Sequence, residues 1–186
     1  DSAKHRAFWY IAIGTTLAGT AINGVNIHLI SYLYHFGLTL SQSAILLSSL
    51  YFISTIAKPM WAVINEKLPT RYCLSLCYLG GGIGLLLLLI ANTVAGIILF
   101  AFVYGLTRGA QSFMSALIWP DYFGREHIGS IRGTVTSMGI IASAGGPLLA
   151  GVLFDVFGSY NIPFLVFVIF FFISSFFIFI AKKPTI

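Results

Sequence analysis

The sequence predicts an all-α membrane protein of six transmembrane helices, and three observations predict it. Residues of the AVILMFWYC class make up 58% of the 186-residue chain, charged residues only 8%, and the mean hydropathy is +0.95. A soluble domain carries roughly 25% charged residues, and intrinsic disorder needs the opposite balance. The apolar residues gather into six continuous runs of span length, at 8–30, 44–64, 72–91, 94–119, 133–154 and 163–181. At 1.5 Å per residue about 20 residues cross a ~30 Å hydrocarbon core. The runs do not alternate with period two, so helices rather than barrel strands are expected. Eight of the ten cations lie outside the runs and cluster in alternate connections, as topology marks do.

The first run carries Asn23, Asn26 and His28. Asn23-Gly24-Val25-Asn26 is poor helix material, so a local break lining a cavity is expected there. His28 is either a substrate-binding or proton-carrying group or a histidine hydrogen-bonded at the interface. The second run places Ser48, Tyr51, Thr55 and Lys58 at helical spacing. Lys58 precedes Pro59 near the end of the run, so it reads as a snorkelling lysine. The third run holds Gly80, Gly81, Gly82 and Gly84, which complete no G-x-G-x-x-G and follow no strand, so they predict close packing. Cys73 and Cys77 lie one helical turn apart in the same run and read as small core-filling residues.

The fourth run contains Arg108 near mid-depth. An arginine there costs roughly 2.5–3.5 kcal/mol even on the mildest insertion scale. Tyr104, Gln111, Ser112 and Ser115 share its face. Two roles fit. One is a guanidinium that binds an anion in a central cavity, suited to a carboxylate by its fork. The other is an arginine tied to backbone carbonyls or to a carboxylate of the bundle, and no Asp or Glu of the chain lies at that depth. The fifth run carries Gly145, Gly146, Pro147 and Gly151, and the sixth is the most apolar with the third. Helices 3 and 6 are therefore expected to face lipid on much of their surface, and helices 1, 2, 4 and 5 an interior. Inner, inner, outer, twice over, is a three-plus-three repeat of the kind secondary transporters use.

Lys4, Arg6, Lys58, Lys67, Arg71, Arg125, Arg132, Lys182 and Lys183 all fall on one side of six spans, which places both termini in the cytoplasm. Arg108 is the exception. The net charge of +5 forms no clustered basic face, so no nucleic acid is expected as a partner. G-x-S-x-G, H-E-x-x-H and paired Asn-Pro-Ala turns are absent from the sequence. No enzyme activity, cofactor or metal is expected. The chain opens on Asp1, with no signal-peptide pattern before the first run, and reads as a fragment or processed piece.

The connection Ala62-Val63-Ile64-Asn65-Glu66-Lys67-Leu68-Pro69-Thr70-Arg71 resembles the G-x-x-x-D-R-x-G-R-R loop of the major facilitator superfamily, with Glu66 and Lys67 for its Asp and Arg. Asp121-Tyr122-Phe123-Gly124-Arg125, Gly129-Ser130-Ile131-Arg132-Gly133, Gly146-Pro147, Phe154-Asp155 and Gly158-Ser159-Tyr160 resemble the C-terminal half of its monocarboxylate and oxalate–formate carriers. The resemblance implies one six-helix domain over residues 1–186, half of a twelve-helix carrier working by alternating access in the plasma or inner membrane. A missing N-terminal half and a small organic solute, anionic by the charge of Arg108, would be its partners. Arg108, Gln111, Tyr104, Asn23, Asn26 and His28 are the candidate substrate contacts. Glu66, Lys67 and Arg71 would latch the halves, and Gly145, Gly146, Pro147 and Gly151 would bend and pack helix 5. Organic-anion members usually carry cations in the helices equivalent to 2 and 5. Here helix 5 has none and Lys58 is peripheral, which leaves that role to Arg108. A self-contained six-helix module, such as the solute-binding subunit of a multi-component importer, is the alternative.

Overall fold

The structure is a computed structural model describing the backbone of residues 2–124 and 128–183 and the side chains of 6–124 and 133–183. Among them the regular structure is six helices, α1 Ser2–His35, α2 Leu40–Lys67, α3 Thr70–Ile90, α4 Val94–Phe123, α5 Ile128–Phe157 and α6 Asn161–Ile180. Most of these helices outrun the apolar stretches, because capping groups rather than hydropathy end them. Thr39 closes a capping box on α2: its hydroxyl accepts the Gln42 N–H at 3.2 Å, and the Gln42 side chain accepts the Thr39 N–H at 2.9 Å. Thr93 caps α4. After α4 the chain turns at Gly124 with φ of 75°, a left-handed conformation that a side chain would strain.

Five helices are long and apolar enough to cross a membrane, and α1 is the exception. It is long, but Thr15, Thr16, Thr20, Asn23, Asn26 and His28 dilute its hydropathy. The break expected at Asn23–Asn26 does not occur, and α1 is continuous. Asn23 Nδ2 donates to the Gly19 carbonyl at 2.8 Å, bonding within its own helix rather than breaking it. Gly24 is there for space: a Cβ at this position would run into the Phe167 ring and meet the Gly146 carbonyl at 3.1 Å.

The packing has an internal order. Helix α1 packs against α5 and α6, α4 packs against α2 and α3, and α3 packs against α6. Helices α1 and α4 meet through side chains, with Phe8 of α1 against Trp119 and Phe123 of α4 at 5.5 and 6.0 Å. Exchanging α1 with α4, α2 with α5 and α3 with α6 leaves this list of neighbours unchanged. Lipid is as apolar as leucine, so close fit rather than water exclusion holds such helices together. Small residues provide it at matched crossings. A Cβ at Gly146 of α5 would strike the Thr20 carbonyl of α1, and one at Gly109 of α4 would strike the Ser54 carbonyl of α2. The α3 glycines divide between two partners, Gly80 and Gly84 facing Thr107 and Tyr104 of α4, Gly81 and Gly82 facing Phe171 and Phe172 of α6. A reciprocal serine pair completes the α3–α6 seam: Ser75 Oγ donates to the Ser175 carbonyl and Ser175 Oγ to the Ser75 carbonyl, each at 2.9 Å.

Within this chain α3 and α6, the helices expected to face lipid, are not the least buried. Of the spanning windows, 56% of α3 and 44% of α6 are buried, against 22% of α2 and 17% of α5. Apolarity alone does not tell lipid from a helix neighbour. Helices α3 and α6 bury one face on each other and expose another, marked by Leu76, Leu79 and Ile83 and by Leu165, Ile169 and Phe176. The large free faces belong to α2 and α5.

Candidate functional site

A cleft of about 800 Å³ lies between α1, α2, α4 and α5. Its lining runs from Asn23, Tyr51 and Arg108 at mid-helix to Thr15, Lys58, Trp119 and Val135, toward the end of the bundle where α1 starts and α2 stops. Ser54, Thr55, Ser112, Ser115 and Thr136 supply hydroxyls, and Met138 and Ala142 of α5 supply apolar wall. The described lining residues of α5 carry no charge.

Arg108 is half-buried and anchored from two sides. Its Nη1 donates to Asn26 Oδ1 at 2.6 Å, and its guanidinium carbon stands 5.0 Å from the centroid of the Tyr51 ring. The hydrogen bond joins α4 to α1. Neither partner is charged, so the arginine is held in place while its charge stays uncompensated. This departs from the second of the two roles read from the sequence: an amide and an aromatic face hold it, rather than backbone or a carboxylate. The fork keeps donors free for a ligand.

Gln111 lines the cleft and is 3% exposed. Its Nε2 donates to the Cys77 carbonyl at 3.2 Å, and because a carbonyl only accepts, the amide orientation is fixed. Its Oε1 is then buried without a hydrogen-bond partner. The Tyr104 hydroxyl, also buried and without one, belongs to a ring packed on Phe100 and Phe171 and lies close to the Arg108 guanidinium. Of the six candidate contacts, Arg108, Gln111 and Asn23 line the cleft. Asn26 reaches it through Arg108. Tyr104 sits behind it, and His28 is elsewhere.

His28 binds α1 to α5 and to the start of α6, near the opposite end of the bundle. Its Nε2 lies 3.1 Å from the Pro147 carbonyl and its Nδ1 3.4 Å from the Tyr160 hydroxyl. The carbonyl can only accept, so Nε2 carries the proton and Nδ1 accepts from Tyr160. Tyr160 also stacks on Phe154 at 4.2 Å and meets the His35 ring at 5.6 Å.

Lys58, read from the sequence as a peripheral, snorkelling lysine, is exposed toward the end of α2 and lines the same cleft as Arg108. The signal was present, since Tyr51, Thr55 and Lys58 recur at helical spacing on one face of α2. On the α1 wall Asn23 was anticipated, whereas Thr16 and Gly19, which follow the same period, were not. Two cations thus line the cleft, and among its described lining residues there is no carboxylate. No cluster of three or more metal-ligating side chains occurs among the described residues.

The proposed latch residues part company. Glu66 and Lys67 are exposed at the end of α2. Arg71 is committed within the chain: it donates to the Tyr72 hydroxyl at 2.7 Å and the Ala181 carbonyl at 3.4 Å, the carbonyl that also accepts from Tyr122 at 2.5 Å. Beside it Asp121 pairs with Lys183 at 2.8 Å. In α5 only Gly146 of the three glycines packs closely, while Gly145 and Gly151 face open space, and Pro147 sits inside a continuous helix. The cations Lys4, Arg125 and Arg132, and the motif residues Gly129-Ser130-Ile131, lie outside the residues whose side chains are described.

A six-helix, membrane-type bundle around a cation-lined cleft defines the class, and comparison with known proteins agrees. The Major Facilitator Superfamily profile matches residues 11–186, and the chain belongs to that family. Monocarboxylate transporter 2 of Mus musculus is 29% identical over 161 residues, 84% of this chain and 33% of its own length. Multidrug resistance protein MdtG of Enterobacter lignolyticus is 28% identical over 151 residues, 78% of this chain and 36% of its own. Human Monocarboxylate transporter 2 is 28% identical over 162 residues. The chain spans about a third of the length of the curated relatives it matches.

Proposed function

We propose that this chain is the C-terminal six-helix half of a twelve-helix secondary transporter, moving a small organic anion by alternating access. The observation that carries the anion is the cleft, with Arg108 and Lys58 on its wall and no carboxylate among its described residues. A cationic solute would meet repulsion there, which favours the chemistry in the name of the monocarboxylate relatives over that in the name of the multidrug relatives. Arg108 is the anchor, Asn26 and Tyr51 hold it, Lys58 is a second cation, and Gln111 and Asn23 are polar wall. Helix neighbours that survive exchange of the first three helices with the last three support a three-plus-three repeat. The wide free faces of α2 and α5 suit a second half, and the family match favours a carrier over a self-contained importer module. The run of cations sets both termini in the cytoplasm of a plasma or inner membrane. On that orientation the Lys58 end of the cleft faces the cytoplasm and Arg108 stands near mid-membrane. Uptake of labelled organic anions into proteoliposomes holding the full-length protein tests this. Arg108→Ala should abolish saturable uptake; unchanged apparent affinity and rate would end the anchor role.

A further inference from the structure

We infer that His28 splints α5 across its softest point, and that this splint sets how fast the carrier reorients rather than how tightly it holds its solute. The inference rests on the carrier reading above and gives His28 a positioning role in it.

The soft point lies in the sequence of α5. Pro147 has no N–H, so the Ser143 carbonyl one turn earlier loses its helical partner. Gly145, Gly146 and Gly151 flank the proline, and glycine is the weakest helix former after proline itself. Gly145 and Gly151 face open space, so no neighbour stiffens the helix at those positions. Only 17% of the spanning window of α5 is buried. The helix nevertheless runs unbroken from Ile128 to Phe157.

His28 stands where it can keep the helix straight. Helix α1 seats Gly146 against its Thr20 carbonyl and Gly24 N–H, and His28 lies one turn beyond Gly24. Its Nε2 donates at 3.1 Å to the carbonyl of Pro147 itself. A carbonyl has two lone pairs, so it can serve the imidazole and the helix together. Through Nδ1, 3.4 Å from the Tyr160 hydroxyl, the same ring reaches the stack of Tyr160 on Phe154, two turns further along α5. The outer part of α5 is thus fastened toward α1 at Pro147 and again at Phe154. The inner part carries Val135, Met138 and Ala142, the α5 wall of the cleft. A bend at the proline swings that wall relative to the fastened part. Because the His28 bond lands on the proline's own carbonyl, it opposes that bend.

The test reads the helix and the transport cycle separately, both in the full-length protein. In hydrogen exchange, His28→Ala should speed the amides of residues 148–151 by roughly two- to tenfold, the size of one net hydrogen bond, and leave α3 unchanged. His28→Gln keeps a donor at about the reach of Nε2 and should restore protection. Pro147→Ala returns the missing N–H, and in that background His28→Ala should have no effect on exchange. In uptake of labelled butyrate by proteoliposomes, His28→Ala should raise kcat by the same two- to tenfold at unchanged KM, and Pro147→Ala should lower kcat. Unchanged exchange in His28→Ala, or an equal effect in the Pro147→Ala background, overturns the splint whatever the solute. Faster exchange with kcat unchanged overturns its control of the rate and leaves the carrier reading standing. No saturable uptake of any organic anion by the unmodified protein overturns the carrier reading and the rate role with it, while the exchange result still decides the splint.

Discussion

Arg108 gains its position from two neutral neighbours, and that choice of partners has consequences that can be measured. Asn26 orients the fork without cancelling its charge. Asn26→Asp should turn the bridge into an ion pair that competes with substrate, raising KM for an anion by about tenfold or more. An unchanged KM would separate Asn26 from substrate binding. His28 is a structural residue by its contacts, with both ring nitrogens engaged away from the cleft. His28→Ala should lower stability by about 0.5–1.5 kcal/mol and leave KM alone, which thermal unfolding in detergent and uptake kinetics can report together. A shifted KM would return it to the site. What the sequence could say of these residues was uneven. An arginine at mid-depth is conspicuous by its cost alone. A lysine near a helix end has an inexpensive explanation in snorkelling, and only the neighbouring helices reveal that it points into a cleft.

Among the elements, the helix crossings depend on single glycines. At Gly146 any side chain meets the backbone of α1, which cannot yield as a flexible side chain can. Gly146→Val should destabilise by about 1–3 kcal/mol. Gly145→Ala, with open space around it, should be neutral or stabilising by up to about 1 kcal/mol. Equal losses at both positions would contradict the crossing described here. The sequence marked both glycines alike, because a glycine carries no record of which side of its helix meets a neighbour. The same limit explains Asn23–Asn26. Two asparagines around a glycine are weak helix formers, yet the fit of Gly24 against Phe167 and Gly146, with the side chain of Asn23 bonded to Gly19, keeps α1 intact. Tertiary packing outweighs a propensity difference below about 1 kcal/mol per residue.

Across the whole molecule, the two kinds of exposed apolar surface should behave differently in a membrane. Cysteines placed at Phe52 or Ile56 of α2, or at Leu148 or Val152 of α5, should cross-link to the rest of the full-length protein. Cysteines at Leu76, Ile83, Leu165 or Ile169 should react with lipid-phase reagents. All eight are exposed apolar residues in this chain. The reverse pattern would dismiss the two-half architecture. Which face is which was outside the reach of hydropathy, since lipid and a second helical bundle ask for the same side chains.

The sequence by itself determined that this is a helical membrane-type chain, roughly where its six helices lie, and that one cation, Arg108, stands where a cation is costly. Those are matters of composition and spacing along one dimension, and water, lipid and the 3.6-residue turn act on them directly. Only the tertiary structure decided that Lys58 faces the same cleft, that His28 and Tyr104 do not, that Arg71 is tied to Ala181, and that α3 and α6 are more buried than α2 and α5. Each of those depends on which face of a helix meets which neighbour. Helix packing in a membrane is settled by close fit among small residues on different helices, and no single helix carries that information.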